Sequence, residues 1–290
     1  MNVSMMDSYN LAWKLAHTIH RLSPEQPYNN VLSTYEDERL EVAKLLIEFD
    51  TKFSTMFSGQ IGSDKGVKGL THEQFLKVFS DGSGFTSGCG IEYPLSVIVK
   101  SPCANDVYPI VGNNFLQGVL KPGRRLPDSA VRRYADANLP HLQDGKHLPF
   151  SNLDSIITIE ANFISTGRFR TLIFTTFDLL DAHGNSSCAL VQICNDVLPT
   201  FPSGTVELVV LHPFLERRFE WANIPKCIKQ NAEMQFHGPV YDDLYSIYGV
   251  NPDVGAIVVV RPDGYVGMVS SLLSASQVDN YLSCCLVKVV

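Results

Sequence analysis

The chain has 290 residues, 45% of them apolar and 18% charged, with a net charge of −7; that length holds one large or two ordinary domains with a sizeable core. An acidic balance without any basic run excludes a phosphate-tracking nucleic-acid surface, so no nucleic acid is expected as a partner. No apolar run approaches the roughly 20 residues that cross a bilayer.

In chain order, "MNVSMMDSYNLAWKLAHTIH" predicts a helix over residues 3–20. Met5, Tyr9, Ala12, Ala16 and Ile19 recur at helical spacing and define an apolar face, which Leu11, Trp13 and Leu15 widen. Asp7, Asn10, Lys14 and His17 form a narrow polar row on the remainder, and Asn2 suits the N-cap. "RLSPEQPYNN" breaks the pattern, and a second helix is predicted over 32–57. Ser33 or Thr34 can cap it, Glu36 and Asp37 suit its positive first turn, and Val42, Leu45, Leu46 and Phe49 continue an apolar stripe. Glycines at 59, 62, 66 and 69 mark a loop, and "THEQFLKVF" reads as a short helix capped by Thr71. The glycine-rich "SDGSGFTSGCG" then leads into a predicted strand, "YPLSVIV" at 93–99, and a domain boundary is placed in this region.

Beyond it the elements alternate. Strands are predicted at 169–177 and 205–212, helices at 187–198 and 238–249, and a hairpin at 255–270 turned by Pro262, Asp263 and Gly264. A last helix covers about 275–283. The order β-α-β-α-β-β-α is that of a thioredoxin-like α/β sandwich. Its redox pair is missing, however: "FDLLDAHGNSS" occupies the first strand–helix junction, with no cysteine before Cys188.

Of the seven cysteines none forms C-x-x-C, and no histidine supplies metal-ligand spacing. No metal site is expected, and the thiols are read as free. No signal-peptide layout is visible at the first residues and no targeting tag at the last, so a cytoplasmic location is expected. His183, His212 and His237 stand beside no nucleophile, and Asp242 and Asp243 read as a solvated pair. Arg124, Arg125, Arg132 and Arg133 answer the acidic surplus. There is no G-x-G-x-x-G after a strand, no P-loop and no H-E-x-x-H. No catalytic residue is therefore assigned.

Several stretches together resemble the flavin-dependent aromatic hydroxylases of the phenol 2-monooxygenase type. "MNVSMMDSYNLAWKLA" is similar to that family's G-M-N-x-x-x-x-D-x-x-N-L-x-W-K-L segment. "TYEDERLEVA" resembles its Y-x-x-E-R-x-x-x-A helix through Tyr35, Glu38, Arg39 and Ala43. "LKPGRRLPDSAVRRYAD", "STGRFRTLIF" and "YGVNPDVGAIVVVRPDGYVG" resemble its C-terminal domain. The resemblance implies helices of an FAD-binding domain over 1–58, a linker with a short helix over 59–95, and a thioredoxin-like dimerisation domain over 96–290. It implies FAD as cofactor, with Met1 and Asn2 at the flavin pyrimidine edge, and NAD(P)H as co-substrate. The family's substrate would be a phenolic or polyketide-derived aromatic ring. By the same pattern the dinucleotide fingerprint and catalytic half would lie before Met1, so a truncated product or a late-started gene model is expected. The alternative is a non-catalytic dimerisation or interaction module derived from that family, associating as a homodimer or with a partner chain.

Overall fold

The computed structural model describes residues 2–25, 30–58, 73, 82, 84–85, 88, 90–102, 108–114, 118–136, 156–158, 166–213, 225–230, 235–239 and 243–289. Two long helices come first, α1 (Asn2–Ile19) and α2 (Thr34–Ser58). Before α2 the Asn30 Oδ1 accepts the Ser33 N–H at 2.8 Å, and the Thr34 hydroxyl donates to the Val31 carbonyl at 2.6 Å. These local bonds bend the chain into the helix, and Glu36 and Asp37 occupy its first turn. The short helix expected at 71–79 and most of the glycine loop lie outside the described residues.

A seven-stranded sheet follows: β1 (Ala130–Asp136), β2 (Ile156–Thr158), β3 (Phe169–Phe174), β4 (Val206–Leu211), β5 (Gln235–Pro239), β6 (Ala256–Val260) and β7 (Val266–Ser270). The strand order is β2-β1-β5-β4-β3-β6-β7. Strands β3, β4 and β5 run parallel to one another, and every other pairing is antiparallel. Helix α3 (Asn185–Gln192) lies between β3 and β4, α4 (Lys226–Gln230) between β4 and β5, α5 (Leu244–Tyr248) between β5 and β6, and α6 (Ser276–Cys285) comes after β7.

The central strands form because their apolar runs are covered on both faces. Phe169, Ile173, Ile257 and Val259 pack on one side beneath Leu190 of α3 and Val278 and Leu282 of α6. Leu172, Phe174, Val258 and Val260 pack on the other beneath Leu244, Tyr245 and Tyr248 of α5. The β6–β7 turn needs Gly264, whose φ is +82°. Gly267 serves a close approach: a Cβ there would sit 1.9 Å from the Tyr281 hydroxyl, which donates to the Ile98 carbonyl at 2.9 Å.

Three expectations need correction. Residues 93–99 make one isolated bridge, Ser96 to Val99, beside that of Glu92 to Arg124, and no continuous strand. Pro94 cannot donate to a ladder, and the chain turns back on itself at 96–99. Of the helix expected at 238–249, Gly238 and Pro239 belong to β5, paired with β1. The helix begins only after Asp243, whose carboxylate accepts the Tyr245 N–H at 3.1 Å, and stops at Gly249, where φ is +70°. The helix expected over 187–198 is α-helical over Asn185–Gln192, then passes into a π turn (Ile193–Val197) and a 3₁₀ turn (Leu198–Thr200). Pro199 supplies no N–H to continue it. Among the described residues no helix is long and apolar enough to cross a membrane.

Candidate functional site

The helix pair and the sheet meet at a buried ionic joint. Arg261, at the end of β6, extends its guanidinium toward α2, where Nη2 reaches Glu38 Oε2 at 2.9 Å and Nη1 reaches Oε1 at 2.5 Å. The same guanidinium holds Asp263 of its own turn through Nε at 3.0 Å. From α1, Lys14 Nζ donates to Glu38 Oε2 at 2.8 Å. Asn10 Nδ2 bridges Glu38 at 2.8 Å and Asp263 at 3.2 Å, and the Trp13 indole N–H donates to Asp263 at 3.1 Å. Trp13, Tyr93 and Tyr265 wall the guanidinium at 5.2–5.7 Å, a setting that favours arginine over lysine. The Lys14, Glu38 and Arg261 side chains are all 0% exposed.

A second pair extends the joint: Arg39 binds Asp7 of α1 and donates to the Tyr93 hydroxyl at 2.8 Å. The Tyr9 hydroxyl donates to the Pro262 carbonyl at 2.6 Å, and His17 Nε2 meets the Gly167 carbonyl at 2.7 Å. Three cations thus face three carboxylates, so the cluster is neutral, which is the condition for burying it at all. Burial alone would push the Glu38 carboxyl up; the Arg261 and Lys14 charges overcome it and hold it down, to about 2. Burial lowers Lys14 to about 8 despite Glu38 beside it. Burial also holds the His17 imidazole below its ordinary range.

The polar row of α1 is therefore its inner face, contrary to the amphipathic reading. Asn10, Trp13, Lys14 and His17 are buried, whereas Met5 is 56% and Ile19 73% exposed. Hydrogen-bonded charge, not apolar area, decides which side packs. Of the residues expected at the flavin edge, Met1 lies outside the described residues and Asn2 opens α1, with no acidic residue in the first turn. Val3 and Met6 anchor that end against Val42, Ile91, Tyr93 and Val99. His183 is exposed, His212 is buried, and Asp243 caps α5; none joins the cluster. Arg124 pairs with Glu92 at 2.8 Å, as the acidic surplus suggested.

The β3–α3 junction is closed by oxygen ligands. Ser186 Oγ accepts the Thr176 N–H at 2.8 Å, Ser187 donates to the Leu179 carbonyl at 2.6 Å, and Asp178 accepts the Ser186 N–H at 3.3 Å. Among the described residues no group of three or more His, Cys, Asp or Glu could hold a metal ion.

One signal in the sequence did point to the joint. Asp7, Asn10, Trp13 and Lys14 in the first quoted motif, Glu38 and Arg39 in the second, and Arg261 and Asp263 in the last are its members. Arg261→Met should destabilise the chain by about 3–5 kcal/mol, because Glu38 and Asp263 lose their shared cation; urea unfolding measures this. Acid should also loosen the joint. Glu38 has a folded-state pKa below its ordinary 4.5, so its contribution is complete above pH 4.5 and is lost as pH falls toward about 2. That loss is about 3 kcal/mol. The Arg261→Met chain should show a much weaker fall in stability over the same window.

Comparison with known proteins places this geometry. Residues 1–50 match the family model of an FAD binding domain, and residues 201–289 match that of the phenol hydroxylase C-terminal dimerisation domain. Flavin-dependent oxygenase ucdD of Aspergillus ustus is 28% identical, over 97% of this chain and 40% of its own length. Phenol 2-monooxygenase fsqG of Aspergillus fumigatus is 29% identical, over 93% of this chain and 42% of its own. Among solved structures, the flavin-dependent monooxygenase PieE in complex with FAD and substrate shares the fold, with a TM-score of 0.51 at 16% identity. That match covers 98% of this chain and 44% of PieE. The chain thus spans less than half the length of these relatives. From its first helix to its last, it matches the C-terminal portion of FAD-dependent aromatic hydroxylases of the phenol 2-monooxygenase type.

Proposed function

We propose that this chain is the C-terminal portion of a flavin-dependent monooxygenase that hydroxylates a phenolic or polyketide-derived aromatic ring. The observation that carries the reading is the joint: the motif residues of three separate segments converge in one buried cluster that fixes α1 against the sheet. A helix held this rigidly can present its amino end at a defined place. FAD, when bound, would supply the electron-transfer and oxygen-activating chemistry, with NAD(P)H as the reductant. Met1 and Asn2 would meet the flavin pyrimidine edge, where the free amides of the first turn stabilise negative charge. The fit is favourable at that point, since the first turn carries no carboxylate and Asp7 is neutralised by Arg39. This sequence has no glycine turn for the pyrophosphate and no fingerprint acid for the ribose, so the rest of the cofactor would be held by other sequence.

The sheet supports a thioredoxin-like unit within residues 96–290. Strands β4, β3, β6 and β7 are adjacent in that order, with β3–α3–β4 parallel and the β6–β7 hairpin antiparallel beside β3. The match of 201–289 to a dimerisation domain supports a homodimer. So does the outer face of the helix pair, where Met5, Leu15, Ile19, Leu40, Leu45 and Ile47 are all exposed. Trp13, though part of the apolar face read from the sequence, is buried in the joint, and Phe49 is half-buried.

The 290-residue chain alone should purify colourless and leave titrated FAD with its free fluorescence. One helix end contributes about 1 kcal/mol, less than a tenfold gain in affinity. Fused behind the FAD-binding part of a relative, the chain should carry stoichiometric flavin, and Asn2→Asp should weaken that binding by about twofold to fivefold through like charge. Stoichiometric flavin on the isolated chain, or none on the fusion, would overturn the reading. Light scattering at micromolar concentration should give at least twice the monomer mass of 32.2 kDa; a clean monomer would remove the dimer.

A further inference from the structure

The stretches 92–102, 108–112 and 121–122 border a cavity of about 510 Å³. Backbone bonds hold its walls. The Lys100 N–H donates to the Gly267 carbonyl of β7 at 2.8 Å, and the Gly123 N–H donates to the Val266 carbonyl of the same strand at 2.8 Å. The Tyr93 N–H donates to the Gly123 carbonyl at 2.8 Å and joins two of the stretches. The Val111 N–H donates to the Gly249 carbonyl, at the end of α5, at 2.6 Å. The cavity is thus preformed on the sheet, and its volume is that of a small-molecule site.

Its lining is mainly apolar, through Pro94, Leu95, Pro102, Ile110 and Pro122. Leu95 is 66% and Tyr108 38% exposed, so two large side chains meet water on the border of one cavity. The polar groups offered are donors. Lys100 carries no ion pair among the described residues, and Ser101 and Tyr108 add hydroxyls. Burial alone pushes the Tyr108 hydroxyl up to about 12, so it stays protonated and can donate. The carboxylate in the lining, Glu92, is already engaged: Lys121 Nζ reaches Oε1 at 2.5 Å and Arg124 Nε reaches Oε2 at 2.8 Å.

We propose that this cavity is a binding site for an organic monocarboxylate with an apolar ring body. In the lining two ammonium groups, Lys100 and Lys121, stand against the single carboxylate of Glu92. One positive charge is in excess, which matches a monoanion better than a doubly charged phosphate and repels an amine. Lys100 takes the carboxylate in a charge-assisted hydrogen bond, with the Ser101 and Tyr108 hydroxyls as further donors. The prolines, Leu95 and Ile110 take the ring. Of the joint only Tyr93 borders the cavity, so the site is independent of the flavin reading.

The probe is indole-3-acetate, titrated calorimetrically into the 290-residue chain beside neutral indole-3-acetamide and ringless acetate. One site per chain is expected for indole-3-acetate, with a dissociation constant on the order of 0.1–1 mM. Both comparators should bind at least about tenfold more weakly. Saturating indole-3-acetate should slow the acetylation of Lys100 and Lys121 by acetic anhydride severalfold in a peptide map. The exposed Lys44 and Lys288 should acetylate at an unchanged rate. Lys100→Gln should weaken binding about tenfold, and Lys100→Arg by no more than about threefold. The acetylation map of the unsubstituted chain decides the matter even where a variant fails to fold. Equal affinity for acid and amide, protection of other lysines in place of Lys100 and Lys121, or no saturable binding up to about 10 mM would overturn the proposal.

Discussion

The bidentate contact between Arg261 and Glu38 is the interaction on which the rest of the arrangement depends. It spans 223 residues of sequence and joins the β6–β7 turn to the second helix. Both side chains are wholly removed from water, so neither tolerates the loss of the other. Asp263 shares the guanidinium from one side, and Lys14 shares the carboxylate from the other. Such a cluster gains little net stability over an apolar contact of the same size, because each ion gives up its hydration. Its value is geometric: directional bonds admit one orientation of the helices, where an apolar contact would admit several.

That geometry explains the inverted helix. The first helix carries a well-formed apolar stripe, yet the stripe faces outward and the polar row faces in. An uncompensated polar group costs more to bury than an apolar side chain costs to expose, so burial of Asn10 and Lys14 requires partners of matching charge. Glu38 and Asp263 supply them. The outward stripe is then left for another surface, which fits a chain that matches only the C-terminal portion of its relatives.

At the end of β3, Thr176, Asp178, Ser186 and Ser187 form a closed set of oxygen contacts. Gly184 is required there, since a Cβ would lie 2.4 Å from the Asp178 carbonyl oxygen. The junction is built for packing.

Much of the architecture was legible in the residues themselves. Strand β6 is an unbroken apolar run, β3 and β4 are mostly apolar, and the Pro262-Asp263-Gly264 turn fixes the hairpin from local chemistry alone. Gln235–Pro239 has no apolar run, yet it pairs with both β1 and β4 in the sheet. The residues of the joint could be recognised as motifs, but not as one site. Spacing along a helix reports which side chains share a face; it does not report whether that face meets water or an opposite charge. The sequence by itself determined the first two helices, the central strands, the hairpin turn and the charged residues that resemble the family. Only the tertiary structure decided that Lys14, Glu38, Arg261 and Asp263 neutralise one another, because ion pairing across such separations depends on where the folded chain brings them.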